Sequence, residues 1–126
     1  MSNCCVITTN EKKIGVYMHW NGGYDTIHPV LEYCKRKGYR GLDEDNYGFA
    51  RLCQVLGNLI GGTLSVGVGP YDELDTDNGD NGVYVVKGWD IVGREFFSGP
   101  EQDEYDFDEV LHAIDAEMPE NERIFK

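Results

Sequence analysis

His19, Asp25 and His28 are the side chains of this chain best suited to moving protons, and they fall close together in His19-Trp20-Asn21-Gly22-Gly23-Tyr24-Asp25, with His28 three residues on. An imidazole changes charge near neutral pH, and a carboxylate can orient it, so the composition is that of an acid–base site. A strand end, a glycine turn and a helix start in succession also form a common place for functional side chains. No nucleophile accompanies the trio, because Ser2, Ser65 and Ser98 sit in no G-x-S-x-G elbow. Trp20, Asn21 and Tyr24 with these polar neighbours read better as a turn or contact surface than as a catalytic centre, and no enzyme activity is expected.

The segment Pro70–Gly82, PYDELDTDNGDNG, has the acidity of a calcium loop but not its register. Counting from Asp75 puts Gly79 fifth and Asp80 sixth, whereas the loop needs a ligand and then glycine. Counting from Asp77 puts Gly79 third and Gly88 twelfth. Turn chemistry accounts for Asn78-Gly79 and Asn81-Gly82. Gly57, Gly61 and Gly62 close a predicted helix, whose C-terminal end repels anions, and no P-loop pattern occurs. No metal site and no cofactor are expected.

The third constellation is acidic. From Glu95 to Glu122 there are 11 Asp and Glu and no Lys or Arg. Glu101, Asp103, Glu104, Asp106, Asp108 and Glu109 crowd a loop and a helix start. The helix dipole explains two or three of them, not the whole run. With Asp72, Glu73, Asp75, Asp77 and Asp80 they form a surface comparable to a row of phosphates, and these residues are the expected partner contacts. Over the whole chain, 23 acids against 11 Lys and Arg leave a net charge of -12. Such a field opposes direct nucleic-acid binding and anionic membranes, and draws in basic proteins.

The chain has 126 residues, 40% of them hydrophobic, enough to bury a core without disulfide or metal staples. Cys4, Cys5, Cys34 and Cys53 follow no zinc spacing and read as reduced, mostly buried thiols. There is no apolar run of membrane-spanning length and no signal-peptide pattern, so a cytoplasmic location is expected.

The elements that must carry these residues follow from periodicity. Cys4–Thr9 and the alternating Ile14–Trp20 predict an opening hairpin. A helix is expected from a Thr26 cap with Pro29 in its first turn, and Ile27, Val30, Leu31 and Cys34 lie on one face. Phe49, Leu52, Cys53, Leu56 and Ile60 stripe a second helix, which Gly61-Gly62 ends. Thr63–Gly69, Val83–Lys87 and Ile91–Phe97 predict strands. Asp106 caps a last helix with Phe107, Val110, Leu111, Ile114 and Met118 inward. The order ββ-αα-βββ-α predicts one α+β domain over residues 1–126, with a mainly antiparallel sheet, about three helices and a tail that frays after 119.

VYMHWNGGYDTIHPVLEYCKRKGYRG, YGFARLCQVLGNLIGGTLSVG and LDTDNGDNGVYVVKGWDIVGREFF resemble a family of small acidic proteins of phages, plasmids and conjugative elements of Gram-positive bacteria. His19-Trp20-Asn21-Gly22 is similar to its HWDGYP-like signature, from which Gly23 departs. The resemblance brings no catalytic residue. It implies antagonism of host defence, and the size and charge resemble those of inhibitors of type II CRISPR effectors. The expected function is therefore a non-enzymatic anti-CRISPR, which binds a basic, Cas9-type nuclease and blocks guide RNA or target DNA. The alternative is a small-molecule or nucleotide-signal sequestering protein, or a small enzyme, that uses the His19–His28 region.

Overall fold

A computed structural model describes residues 4–60 and 66–125. Strand β1 (Cys5–Thr8) and strand β2 (Ile14–Met18) form the opening hairpin. Helix α1 (Tyr24–Arg36) and helix α2 (Asn46–Ile60) follow, then strand β3 (Val66–Pro70). Strands β4 (Val83–Lys87) and β5 (Asp90–Glu95) form a second hairpin, and helix α3 (Phe107–Ala116) comes last. Among the described residues the fold is α+β, with three α-helices over a five-stranded sheet in the order β3-β2-β1-β4-β5. The glycine stop at Gly61-Gly62 and the start expected for β3 at Thr63 lie outside the described residues.

The sheet departs from the sequence expectation at its centre. β1–β2, β2–β3 and β4–β5 are antiparallel, but β1 and β4 run parallel, with Ile7 beside Tyr84. Both neighbours of β2 are already in place, so β4 returns from the helical layer onto the free edge of β1 in the same direction. Parallel strands are usually covered on both faces. Here Cys5, Ile7, Val16, Met18, Tyr84 and Val86 face the three helices, while Val6, Val83 and Val85 are sealed by Tyr17, Tyr71 and Leu74. The 71–82 connection therefore serves as the cover of the outer face. It starts beside β2, where the Tyr71 amide donates to Lys13 O at 3.0 Å, and ends beside β1, where the Val6 amide donates to Gly82 O at 2.8 Å.

Helix α1 begins two residues before the expected Thr26 cap. The Gly23 carbonyl accepts from the amides of Thr26 (3.0 Å) and Ile27 (2.9 Å), so the helix is already closed at Tyr24 and Pro29 lies beyond its first turn. Helix α3 starts as expected, with the Asp106 carboxylate accepting from the Glu109 amide. The segment after 119, for which fraying is expected, is tied back to α3. The Asp115 carboxylate accepts from the Ile124 and Phe125 amides, and the Phe125 ring stacks on His112.

The thiols are free, and Cys5 and Cys34 are fully enclosed. Burial holds both far above the usual thiol range and also raises the half-buried Cys53. Since the thiolate is the reacting form, alkylation of the native protein at about pH 8 should leave Cys5 and Cys34 unlabelled. Mass spectrometry should find all four cysteines labelled after unfolding. Modification of Cys34 in the native state at a rate near that of a free thiol would contradict this packing.

Candidate functional site

The site is built at one end of the sheet, where β1 and β4 begin and β2 and β5 finish. Register across β4–β5 sets Arg94 beside Tyr84 on the helix side. Its guanidinium lies 3.8 Å from the Tyr84 ring centroid and 4.0 Å from that of Phe97. It donates to Val83 O (3.2 Å) and Asn81 O (2.6 Å), and it forms an ion pair with Glu101. The Tyr84 hydroxyl donates to Gly22 O at 2.8 Å and so joins the β2–α1 turn to the same cluster. Burial pushes the Tyr84 phenol far up, and it remains a neutral donor. Arg94 is thus the peg on which the loop after β5 hangs.

That loop brings the acid block against the first turn of α1. Asp25 and residues 100–105 surround a concavity of about 470 Å³. Tyr24 stacks on His28 with ring centroids 4.9 Å apart, and Tyr105 meets the Tyr24 ring edge-on. The Tyr105 hydroxyl and His28 Nδ1 are 2.7 Å apart. Burial raises the Tyr105 phenol to about 12, so at neutral pH it stays protonated. Phe107 also packs on His28, and Arg36 stacks over the Phe107 ring.

These contacts separate the two histidines. His28 belongs to the aromatic hinge between α1 and the acid loop. His19 lies on the end of β2, with Nδ1 3.8 Å from Cys4 Sγ and its ring edge-on to Trp20. A hydrogen bond to Cys4, with burial, pushes Tyr17 up to about 12. The His19–Asp25–His28 trio is therefore divided between two neighbourhoods, whereas Tyr24, Asp25 and His28 join the acid block. Asn21 stands in the left-handed region at φ 62 and is exposed with Trp20.

The acids fall into three roles. Glu101 is structural through Arg94, and Asp106 is the helix cap. Asp103, Glu104, Asp108 and Glu109 are exposed, and among the described residues no ion pair joins them. Asp72, Glu73, Asp75 and Asp77 are exposed on the 71–82 connection, over the outer face rather than beside the block. Asp80 lies between the two groups, its carboxylate accepting from the Cys4 amide at 3.1 Å. Asn78 shapes this connection by accepting from the Asp80 and Gly82 amides and donating to Asp75 O. Among the described residues no group of three or more His, Cys, Asp and Glu has metal-binding geometry.

At the opposite end of α1 charges of both signs are interleaved. Lys35 and Lys87 border a concavity with Asp43, Glu44 and Asp90, Lys35 pairs with Asp90 and Arg40 with Asp45, and Arg40 and Arg51 both stack on Tyr47. No described helix is long and apolar enough to cross a membrane. Comparisons with protein-family models, with curated proteins and with solved structures find no match.

Proposed function

We propose that this chain is a non-enzymatic inhibitor that binds a basic protein surface and keeps nucleic acid from it, with a Cas9-type nuclease of a bacterial host as the partner. One observation carries the reading. Asp103, Glu104, Asp108 and Glu109 project from a pegged loop and a capped helix start, with no ion pair among the described residues. Unpaired carboxylates on an ordered support resemble phosphates along a backbone, and an RNA-guided nuclease holds its heteroduplex in a cationic channel. Asp25 extends the same surface across the concavity. Recognition by this surface requires neither a cofactor nor chemistry.

The test is the fourfold variant Asp103→Asn, Glu104→Gln, Asp108→Asn, Glu109→Gln, which spares the Arg94 partner Glu101 and the cap Asp106. Exposed charge pairs are each worth about 0.2–1 kcal/mol, so the combined change should weaken binding to the nuclease about tenfold or more. The loss should appear in the association rate and shrink as salt rises. The melting temperature should hold or rise, because self-repulsion falls. Equal affinity of the variant and the native protein at both low and moderate salt would end this proposal.

A further inference from the structure

We infer that Trp20 and Phe96 are the aromatic anchors of a contact surface on the same end of the sheet, and that the surface fits a cationic protein that also offers apolar pockets. The inference rests on the proposed binding of a basic partner, and it adds where that partner is held and by what.

Both rings are open to solvent, Trp20 at 45% and Phe96 at 53%. Unusual backbone occurs at one ring and next to the other. Phe96 has φ 54, and Asn21, which follows Trp20, has φ 62. A bulky residue in the left-handed region is an outlier that surrounding structure must enforce. The enforcement is visible at Phe96. The Gly82 backbone packs so closely on the carbonyls of Glu95 and Phe96 that a Cβ there would overlap them, and Gly82 is itself held at φ 61. Asn78 and Val6 fix Gly82 in turn, through its amide and its carbonyl. The chain is thus pinned in a conformation that aims the Phe96 ring outward, where it gains little from folding.

Strand register puts the two rings on one rim. Met18 pairs with Cys5, and Val83 pairs with both Val6 and Glu95, so β2 and β5 end level with each other across β1 and β4. Three strand spacings separate them, roughly 14 Å, within the footprint of a standard interface. The rim between them carries Asp80 on the Cys4 amide, and the helix side carries Asp25 and the 100–105 loop. Exposed aromatic rings within a charged border are the usual composition of binding hot spots. The charge says which partner fits. A second copy of this chain would bring another -12, and an anionic bilayer would be repelled likewise. A cationic surface is attracted by the acids and held by the rings, the first acting on association and the second on dissociation.

The experiment uses the full chain and two synthetic peptides of equal length and equal positive charge. One is made of lysine and glycine, the other of lysine with tyrosine and leucine interspersed. The native protein should bind the apolar-bearing peptide about tenfold more tightly at moderate salt. Trp20→Ala and Phe96→Gly should each remove most of that gain by speeding dissociation, and leave association unchanged. Phe96→Gly keeps the left-handed backbone accessible, so the fold is retained and the melting temperature should not fall. The fourfold acid variant should slow association of both peptides alike. Equal binding of the two peptides by the native protein, or a gain untouched by both ring variants, overturns this inference. The acid variant then still decides the reading beneath it, which fails if that variant associates with the peptides as fast as the native protein. A dimer of the native chain that Trp20→Ala disperses in sedimentation would assign the rings to self-association and likewise overturn the proposal.

Discussion

Arg94→Ala should destabilise the protein by about 3 kcal/mol, more than the loss of an ordinary surface cation. The side chain is 13% exposed, clasped between the Tyr84 and Phe97 rings, and it satisfies the carbonyls of Val83 and Asn81. Truncation would leave those carbonyls without their guanidinium donor and would strand Glu101, whose Oε1 is buried without a hydrogen-bond partner among the described residues. Removing one member of a buried pair generally costs about 3–5 kcal/mol. Glu101 keeps 30% of its side chain in water, which puts the expectation at the lower end. Arg94→Lys should recover less than half, since an ammonium has neither the planar fork nor the stacking face. Chemical denaturation should show the lower midpoint at an unchanged slope, and hydrogen exchange should quicken over 98–105. In a double-mutant cycle with Glu101→Gln the two losses should not add. A loss below about 1 kcal/mol would mean that the loop does not depend on this peg, and that the acid block lacks the ordered support on which the proposed function relies.

Local signals were enough for most elements and for none of the long-range pairings. The stripe Ile27, Val30, Leu31 and Cys34 and the cap at Asp106 reported α1 and α3, because helix periodicity and capping lie within a few residues. The parallel union of β1 and β4 was missed. Its trace was present in the unbroken apolar runs Cys5-Val6-Ile7 and Val83-Tyr84-Val85-Val86, which mark strands covered on both faces. The start of α1 was misplaced because a glycine carbonyl, and not the Thr26 hydroxyl, receives the first amides. At the site, composition identified the acid run but not its division of labour. Glu101 and Asp103 look alike in sequence, yet one is consumed by Arg94 and the other is left outside. That distinction depends on the register that aligns Tyr84 with Arg94. His19 and His28 seemed one cluster because they are nine residues apart. The turn at Gly22-Gly23 sends one to the end of the sheet and the other onto α1.

Asp115 should be the second large determinant of stability, and its contribution should depend on pH. The carboxylate is buried near the C-terminal end of α3 and accepts from the Tyr33 hydroxyl of α1 at 2.5 Å, the Ile124 amide at 2.8 Å and the Phe125 amide at 2.9 Å. Burial by itself favours the protonated acid. The Tyr33 hydroxyl, the two amides and the charge of Lys37 favour the ionised form and together outweigh it, so the carboxyl sits below its ordinary value. The same contact, added to burial, holds the Tyr33 phenol well above its ordinary value. A carboxyl whose folded pKa is depressed binds fewer protons in the native than in the unfolded chain. Its stabilisation is therefore complete above the unfolded value of about 3.9 and disappears as pH falls through the lower folded value. Asp115→Ala should cost about 3 kcal/mol at neutral pH, since two amides and a phenol lose a charged acceptor inside the fold. Asp115→Asn keeps the shape and one carbonyl acceptor, and should cost about 1–2 kcal/mol. Denaturant titrations of the native protein and Asp115→Asn should show their largest difference near neutrality and a shrinking one below about pH 4. In both variants the amides of Ile124 and Phe125 should exchange faster, because the tail is held at this carboxylate. A gap between the two proteins that stays constant from neutral to strongly acidic solution would show that the ionised form contributes nothing, and that Tyr33 and the tail are held by packing alone.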